Sequence, residues 1–281
     1  MAMVSVTHFT DPGCPFAYSS EPQLWRLKWR YGPQLDWTTR MVGLADSRED
    51  YSDKGFTPEL ILGSYKTFAE DPGMPFDLSL RSAVAATLPA CREVVAAREH
   101  GGQAVAEALL RQLRLQGMAH GLLIDELHTL REASHAAGID SADLDAWAAD
   151  PSTEEALKAD LKAARHPAEA AIQLSNKLAR WDGGWRYTCP SLVLESGERT
   201  AVAPGFLPAL AYDVAFANVA PGLERADAAT DPLEVLAWAG TPLATLEIAT
   251  VMEISRDEAR AKLIEAGATE QPLGTDALWT A

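Results

Sequence analysis

The sequence predicts an α/β chain in which a small sheet-bearing unit is split by a large all-helical insertion and followed by a small C-terminal helical domain. Three observations carry this reading. Segments rich in β-branched and aromatic residues fall near the start, at 4–10 and 35–42, and again late, at 191–202. Between about Pro58 and Arg180 the chain is rich in Ala, Leu, Glu and Arg with helical spacing. A polar stretch at 224–230, ERADAAT, then reads as a linker to a separate tail. The chain has 281 residues, 47% of them hydrophobic, enough for two domains or one elaborated domain around a packed core.

Taken in order, VSVTHFT at 4–10 is a strand, and Asp11-Pro12-Gly13 is a turn signal. From Cys14 to about Tyr31 the spacing predicts one helix, with Pro15 in the first turn, where its missing N–H would have no partner anyway. Gly32-Pro33 ends that helix, and LDWTTRMV at 35–42 is a second strand. Strand, helix and strand make one βαβ unit with a right-handed crossover. Breaks at Asp71-Pro72-Gly73, Gly101-Gly102, Gly138 and Asp150-Pro151 cut the helical stretch into about five helices, and Ser152-Thr153-Glu154-Glu155 fits a capping box. Ser191–Glu195 is a strand, Ser196-Gly197-Glu198 a hairpin turn and Arg199–Val202 its partner. Pro204-Gly205 opens a helix to about Asn218. Strand–helix–strand, a long helical insert, then strand–strand–helix is the element order of a thioredoxin fold interrupted in its middle. The expected division is residues 1–45 and 186–222 for a discontinuous thioredoxin-like domain, 46–185 for the helical insertion and 223–281 for the tail. In the tail, Pro232–Trp238, Leu243–Met252 and Asp257–Ala266 read as short helices and Gln271–Trp279 as a wing, a winged-helix-like outline.

Charge narrows the function classes. Lys plus Arg number 24 against 40 for Asp plus Glu, a formal charge of -16. Such a chain is repelled by phosphate backbones, so neither nucleic acid nor an anionic membrane is an expected partner. The tail agrees: Arg256, Arg260 and Lys262 are offset by Asp257, Glu258 and Glu265, which suits protein contact or lid packing better than DNA. No segment approaches the roughly 18–20 apolar residues of a spanning helix, and MAMVSVTHFTDPGC lacks the layout of a secretory signal. Three cysteines make no disulfide framework and show no zinc spacing, so a reducing cytoplasm is expected. His128 and His135 stand at i, i+7, too far apart for a two-histidine clip, and no metal is expected. Cys91, near Leu88, Val94 and Val95, reads as core, and Glu154, Glu155 and Asp160 read as a solvated face.

The sharpest local signal is Cys14, placed after a strand and at the opening of a helix. There a sulfur meets unpaired backbone N–H groups and the positive helix end, and both favour thiolate over thiol. The alternative is a buried structural thiol.

Cys14-Pro15-Phe16-Ala17-Tyr18 resembles the Cys-Pro-Trp-Cys-Tyr motif of cytosolic DsbA-like thioredoxin-fold proteins, the FrnE-type oxidoreductases. Their relatives include 2-hydroxychromene-2-carboxylate isomerases and kappa-class glutathione transferases. Gly73-Met74-Pro75-Phe76 resembles the Gly-x-Pro-Phe found early in that family's insertion. Thr188-Cys189-Pro190-Ser191 falls where the family has its cis-proline loop. The similarity spans roughly residues 4–220. It implies a thiol-dependent oxidoreductase acting through Cys14, with substrate contacts from Pro15, Phe16, Met74, Phe76, Thr188, Pro190 and Ser191. One departure stands out: the family's second active-site cysteine is Ala17 here. A resolving thiol one helical turn away speeds disulfide exchange, and Ala17 cannot supply it.

If Pro190 is the cis-proline, the resemblance brings Cys189 against Cys14, and the two form a replacement redox pair. A second implied reading keeps Cys14 as a lone thiol of the isomerase or transferase type. It would then hold a low-molecular-weight thiol such as glutathione or mycothiol, the only cofactor expected, with backbone pairing beside Pro190. The pocket would lie between the thioredoxin half and the insertion, with Phe16, Met74, Phe76 and Trp185-Arg186-Tyr187 in its walls. A third reading is a non-catalytic adaptor that keeps the groove. The partners implied are a small thiol or a protein thiol, and a homodimer or protein partner through the C-terminal domain.

Overall fold

The computed structural model describes residues 3–181 and 183–281. β1 (Val4–Thr10), α1 (Pro15–Ser19), α2 (Glu21–Tyr31) and β2 (Leu35–Met41) form the first βαβ unit. The insertion follows as α3 (Arg48–Ser52), α4 (Pro58–Glu70), α5 (Leu88–Gly101), α6 (Gln103–Arg114), α7 (Leu127–Ala136), α8 (Ser141–Ala149), α9 (Pro151–Ala164) and α10 (Glu169–Ile172). A hairpin of β3 (Ala179–Trp181) and β4 (Gly184–Arg186) ends it. β5 (Ser191–Ser196), β6 (Arg199–Pro204) and α11 (Ala209–Val219) then return to the first unit. The tail holds α12 (Pro232–Ala239), β7 (Leu243–Ala244), α13 (Thr245–Met252), α14 (Arg256–Glu265), β8 (Thr269–Leu273) and β9 (Asp276–Thr280).

The main sheet has the order β2-β1-β5-β6. β1 pairs in parallel with β2, as the α2 crossover requires, and antiparallel with β5. Val4 and Val6 project to one face, where they pack with Leu27, Leu192, Leu194 and Phe216. Phe9 joins the cluster that contains Cys14, Tyr187 and Cys189. Period-two alternation of β1 therefore sends one face to the sheet core and the other toward the cysteines.

The single helix expected over 14–31 is two helices. Pro22 has no N–H for the carbonyl of Tyr18, and its ring would clash with that carbonyl. The first helix therefore closes at Ser20, whose N–H donates to the carbonyls of Phe16 and Ala17 at 3.1 and 3.3 Å. α2 starts afresh with Pro22 in its first turn. The expected count of about five helices in the insertion is also low, and the β3–β4 hairpin has no periodic signal in so short a span. In α6, Ala106, Leu109, Leu110 and Leu113 follow the i, i+3, i+4, i+7 spacing and enter the insertion core against α5. Asp160 does not belong to a solvated face. It is fully buried, bonded to Arg40 and Arg98 and accepting the N–H of Met41 at 3.0 Å. Its charges arrive from distant segments, which explains why spacing alone misplaces it.

The tail is not all helical: β7-β9-β8 form a three-stranded sheet behind α12–α14, in winged-helix order. It docks on the rest of the chain through buried ions. Arg111 bonds Glu247 of α13 and Glu21 of α2, and Arg114 bonds Glu21 as well. The wing turn lies on the insertion: Phe76 N–H donates to Thr275 Oγ1 at 3.1 Å, and Arg256 of α14 donates to the Gly73 carbonyl. Among the described residues no helix is long and apolar enough to cross a membrane.

Candidate active site

The loop from β1 to α1 is built on Asp11. This carboxylate is fully buried, so burial pushes its pKa up, while the hydrogen bonds it accepts pull it back. Oδ1 accepts from Gly13 N–H at 2.9 Å, and Oδ2 accepts from Leu44 N–H and Thr87 Oγ1, both at 3.0 Å. Cys91 Sγ donates to the same oxygen at 3.5 Å, so this third thiol serves the loop scaffold. Gly13 is required by close approach: a Cβ there would stand 2.5 Å from Thr87 Cγ2.

Cys14 is the N-cap of α1, with Pro15 at the first helical position. The helix-terminal placement read from the sequence is present. The sulfur does not lie open to solvent: Cys14 is only 6% exposed and sits in the wall of a cavity. Across from it the Cys189–Pro190 peptide is cis, and Cys14 Sγ donates to the Cys189 carbonyl at 3.4 Å. All three cysteines are free thiols. The Cys189 thiol holds the Cys14 pKa below the usual thiol value. Burial opposes this, the Ala17 N–H assists, and the nearby Asp11 charge opposes. Burial pushes Cys189 well above the usual value, and the Cys14 sulfur pushes it further. The two thiols are thus driven apart: Cys14 toward thiolate, Cys189 toward thiol.

The other residues singled out in the sequence divide clearly. Pro15 and Phe16 line the cavity with Cys14, and Phe16 rests edge-on against Phe68 at 4.7 Å. Met74 and Phe76 do not line it. Both are fully buried in a cluster with Tyr18, Tyr65 and Met118. Their motif is a structural partner of the cysteine motif, since Tyr18 OH donates to the Pro75 carbonyl at 2.9 Å and the Tyr18 ring meets Phe76 edge-on. Thr188, Pro190 and Ser191 also stand outside the lining. Thr188 Oγ1 donates to the Lys177 carbonyl, Ser191 Oγ donates to the Thr188 carbonyl, and Gly205 N–H donates to Ser191 Oγ. Their hydroxyls are spent on holding the loop beside Cys14. Of Trp185-Arg186-Tyr187 only Arg186 reaches the cavity; Tyr187 is stacked on Phe9 at 4.2 Å and Trp185 lies under Arg180.

The cavity encloses about 710 Å³, within the range of small-molecule sites. Sequence reasoning missed most of its walls. Tyr51, Tyr65 and Phe68 come from α3 and α4, and Trp181 from β3. Lys54, Arg81, Arg165, Arg180 and Arg186 add positive charge. They lie on separated segments, and no local spacing marks them as a set.

No family model matches the chain, and no curated protein matches it in sequence. Solved structures do. A candidate protein disulfide isomerase from Nitrosomonas europaea is 17% identical with a TM-score of 0.57, covering 76% of this chain and 96% of that one. A candidate DsbA oxidoreductase from Streptomyces coelicolor is 17% identical with a TM-score of 0.56, covering 81% and 94%. The cytosolic disulfide reductase DsbM from Pseudomonas aeruginosa, solved with GSH, is 18% identical with a TM-score of 0.50, covering 71% and 89%. At these identities the likeness is one of architecture: the chain has the DsbA-like thioredoxin fold.

Proposed function

We propose that the protein is a thiol–disulfide oxidoreductase in which Cys14 is the nucleophile and Cys189 its partner thiol. The observation that carries this reading is the meeting of the two residues at the cis Cys189–Pro190 bond, beside a ligand-sized cavity. While Cys189 stays protonated, its S–H stabilises the Cys14 thiolate. That thiolate attacks one sulfur of a substrate disulfide. A bond forms between Cys14 Sγ and that sulfur, the substrate S–S bond breaks, and the departing thiolate takes the electron pair and then a proton. Once Cys189 loses its proton to solvent, it can attack Cys14 Sγ, release the second substrate thiolate and leave a Cys14–Cys189 disulfide.

Ala17 favours a second reading, in which the resolving thiol comes from solution. A small thiol such as glutathione or mycothiol attacks the mixed disulfide, and Cys14 works alone. The DsbM structure of the same fold was solved with GSH. Either route belongs to a reducing cytoplasm and needs no resident cofactor.

Thiol counting under denaturing conditions, with intact mass, separates the routes. After a disulfide oxidant, one free thiol of the three and a loss of two hydrogens support the Cys14–Cys189 pair. Two free thiols and an adduct on Cys14 support the lone nucleophile. Three free thiols overturn the proposal, and unchanged cellular function of a Cys14→Ser variant would favour an adaptor.

A further inference from the structure

The cavity beside Cys14 is charged in the opposite sense to the chain. The protein as a whole carries -16. Among the described residues the cavity walls hold the five cations Lys54, Arg81, Arg165, Arg180 and Arg186 against two carboxylates, Asp46 and Asp50. Asp50 is already engaged, accepting the N–H groups of Asp46 and Ser47 in the capping box of α3.

Many guanidinium groups elsewhere are neutralised locally. Arg26, Arg98, Arg111 and Arg114 each bond an Asp or Glu. Among the described residues, none of the five cavity cations forms an ion pair. The hydrogen-bond and ring partners of the four arginines are neutral. Arg165 donates to the carbonyls of Val42 and Leu161 and lies over the Trp181 ring. Arg186 donates to the Tyr187 carbonyl, Arg180 lies over Trp185, and Arg81 donates to Tyr65 OH. None of these contacts cancels the charge.

The cations also converge. Arg165 follows α9, and Arg180 and Arg186 sit on the β3–β4 hairpin. Lys54 and Arg81 follow α3 and α4. Burial, and after it the Arg186 charge, push the Arg165 pKa down, with Asp46 opposing, so two of these cations lie near enough to repel. Positive groups gathered on low-dielectric walls raise the local concentration of anions and speed their arrival.

Resting on Cys14 as the reacting thiol, we infer that the substrate is a small organic dianion. Its acidic groups, carboxylate or phosphate, meet the Arg165–Arg180–Arg186 and Lys54–Arg81 sides of the cavity while its sulfur meets Cys14. The reaction is the exchange already written: the substrate disulfide is the oxidant, Cys14 becomes its mixed disulfide, and one anionic thiolate leaves.

The full chain is reduced and exposed to three disulfides of similar length. These are 3,3′-dithiodipropionate with two carboxylates, bis(2-hydroxyethyl) disulfide with none, and cystamine with two ammonium groups. Adduct formation at Cys14 is followed by mass. The dianion is expected to react fastest, about tenfold or more faster than cystamine at low ionic strength, with the ratio shrinking as salt rises. The exposed pair Lys54→Gln/Arg180→Gln should reduce that ratio severalfold. Cystamine reacting as fast as or faster than the dianion overturns the inference.

A binding arm needs no thiol chemistry. In Cys14→Ser, suberate, a length match for dithiodipropionate, should bind by calorimetry and 1,6-diaminohexane should not. Absence of suberate binding overturns the anion site. Suberate binding with no reaction of any disulfide supports the anion site and removes Cys14 as the reacting thiol.

Discussion

Removing the Cys189 sulfur isolates what that residue does for Cys14. In Cys189→Ala the backbone carbonyl of residue 189 remains near Cys14 Sγ, where it now lies at 3.4 Å. A carbonyl accepts from a thiol but repels a thiolate, so it favours protonated Cys14. The Cys189 S–H works the other way, and it is the largest influence holding the Cys14 pKa down. A hydrogen bond to a charged group contributes about 1.5–3 kcal/mol. Its loss raises the Cys14 pKa and lowers the thiolate fraction wherever the pH lies below that pKa. The sign follows from direction: a depressed thiol pKa keeps the reactive form present at lower pH, and raising it moves the reactive window upward. The assay is the pH dependence of iodoacetamide alkylation, read at Cys14 by peptide mass so that Cys91 and Cys189 do not interfere. Cys189→Ser, which retains an O–H donor, should recover part of the rate. A Cys14 profile unchanged by Cys189→Ala, or moved to lower pH, would refute the reasoning.

Gly13→Ala places a Cβ 2.5 Å from Thr87 Cγ2; a loss of about 1–3 kcal/mol in urea unfolding, with slower Cys14 alkylation, is expected. Glu247→Ala leaves Arg111 buried with Glu21 as its remaining carboxylate; a destabilisation of about 3–5 kcal/mol should appear in the same measurement. Glu93 has a buried unpartnered Oε2, and burial, then Asp145, raises its pKa from 4.5 to about 7. A carboxyl raised in the folded state gives stability that is intact below pH 4.5 and lost as pH climbs to about 7, at most about 3 kcal/mol. Glu93→Gln should flatten that slope in unfolding curves recorded between pH 4 and 8, and an unaltered slope would contradict it.

Much of the fold is legible because its signals are local. β-branched runs mark β1, β2 and β5, and Asp11-Pro12-Gly13 marks the loop that presents Cys14. The Asp150-Pro151 break marks the start of α9, although Asp150 and not Ser152 is its N-cap, so the capping box expected at 152–155 is not formed. Where two local signals compete, the reading fails: the helical spacing through 14–31 outweighs Pro22, whereas in the chain Pro22 wins and splits the helix. The candidate site is legible only in part. Cys14 and Cys189 declare themselves by motif, but burial of Met74 and Phe76 is decided by Tyr18, Tyr65 and the wing turn, which come from elsewhere in the chain. The five cavity cations are invisible for the same reason. In a sequence with 40 acidic residues, the five cavity cations become a set only when α9, the β3–β4 hairpin and the loops after α3 and α4 come together.

On the proposed pairing, a partner thiol at position 189 rather than at position 17 changes what limits the chemistry. Ala17 is fully buried and packs in the same cluster as both cysteines, so the site one turn beyond Cys14 is filled with hydrocarbon. A cysteine there would share a helix with its partner, and their separation would be set by helix geometry alone. Cys189 instead meets Cys14 across 175 residues of chain, and their approach depends on everything that holds the 188–191 loop. That loop is fastened by Thr188 to the Lys177 carbonyl and by Ser191 to both Thr188 and Gly205. Lys177 lies in the segment that leads into the β3–β4 hairpin, and Arg180 and Arg186 of that hairpin line the cavity. The anchor of the Cys189 loop and two of the cavity cations thus lie on one stretch of chain, an arrangement that two cysteines on one helix would not have.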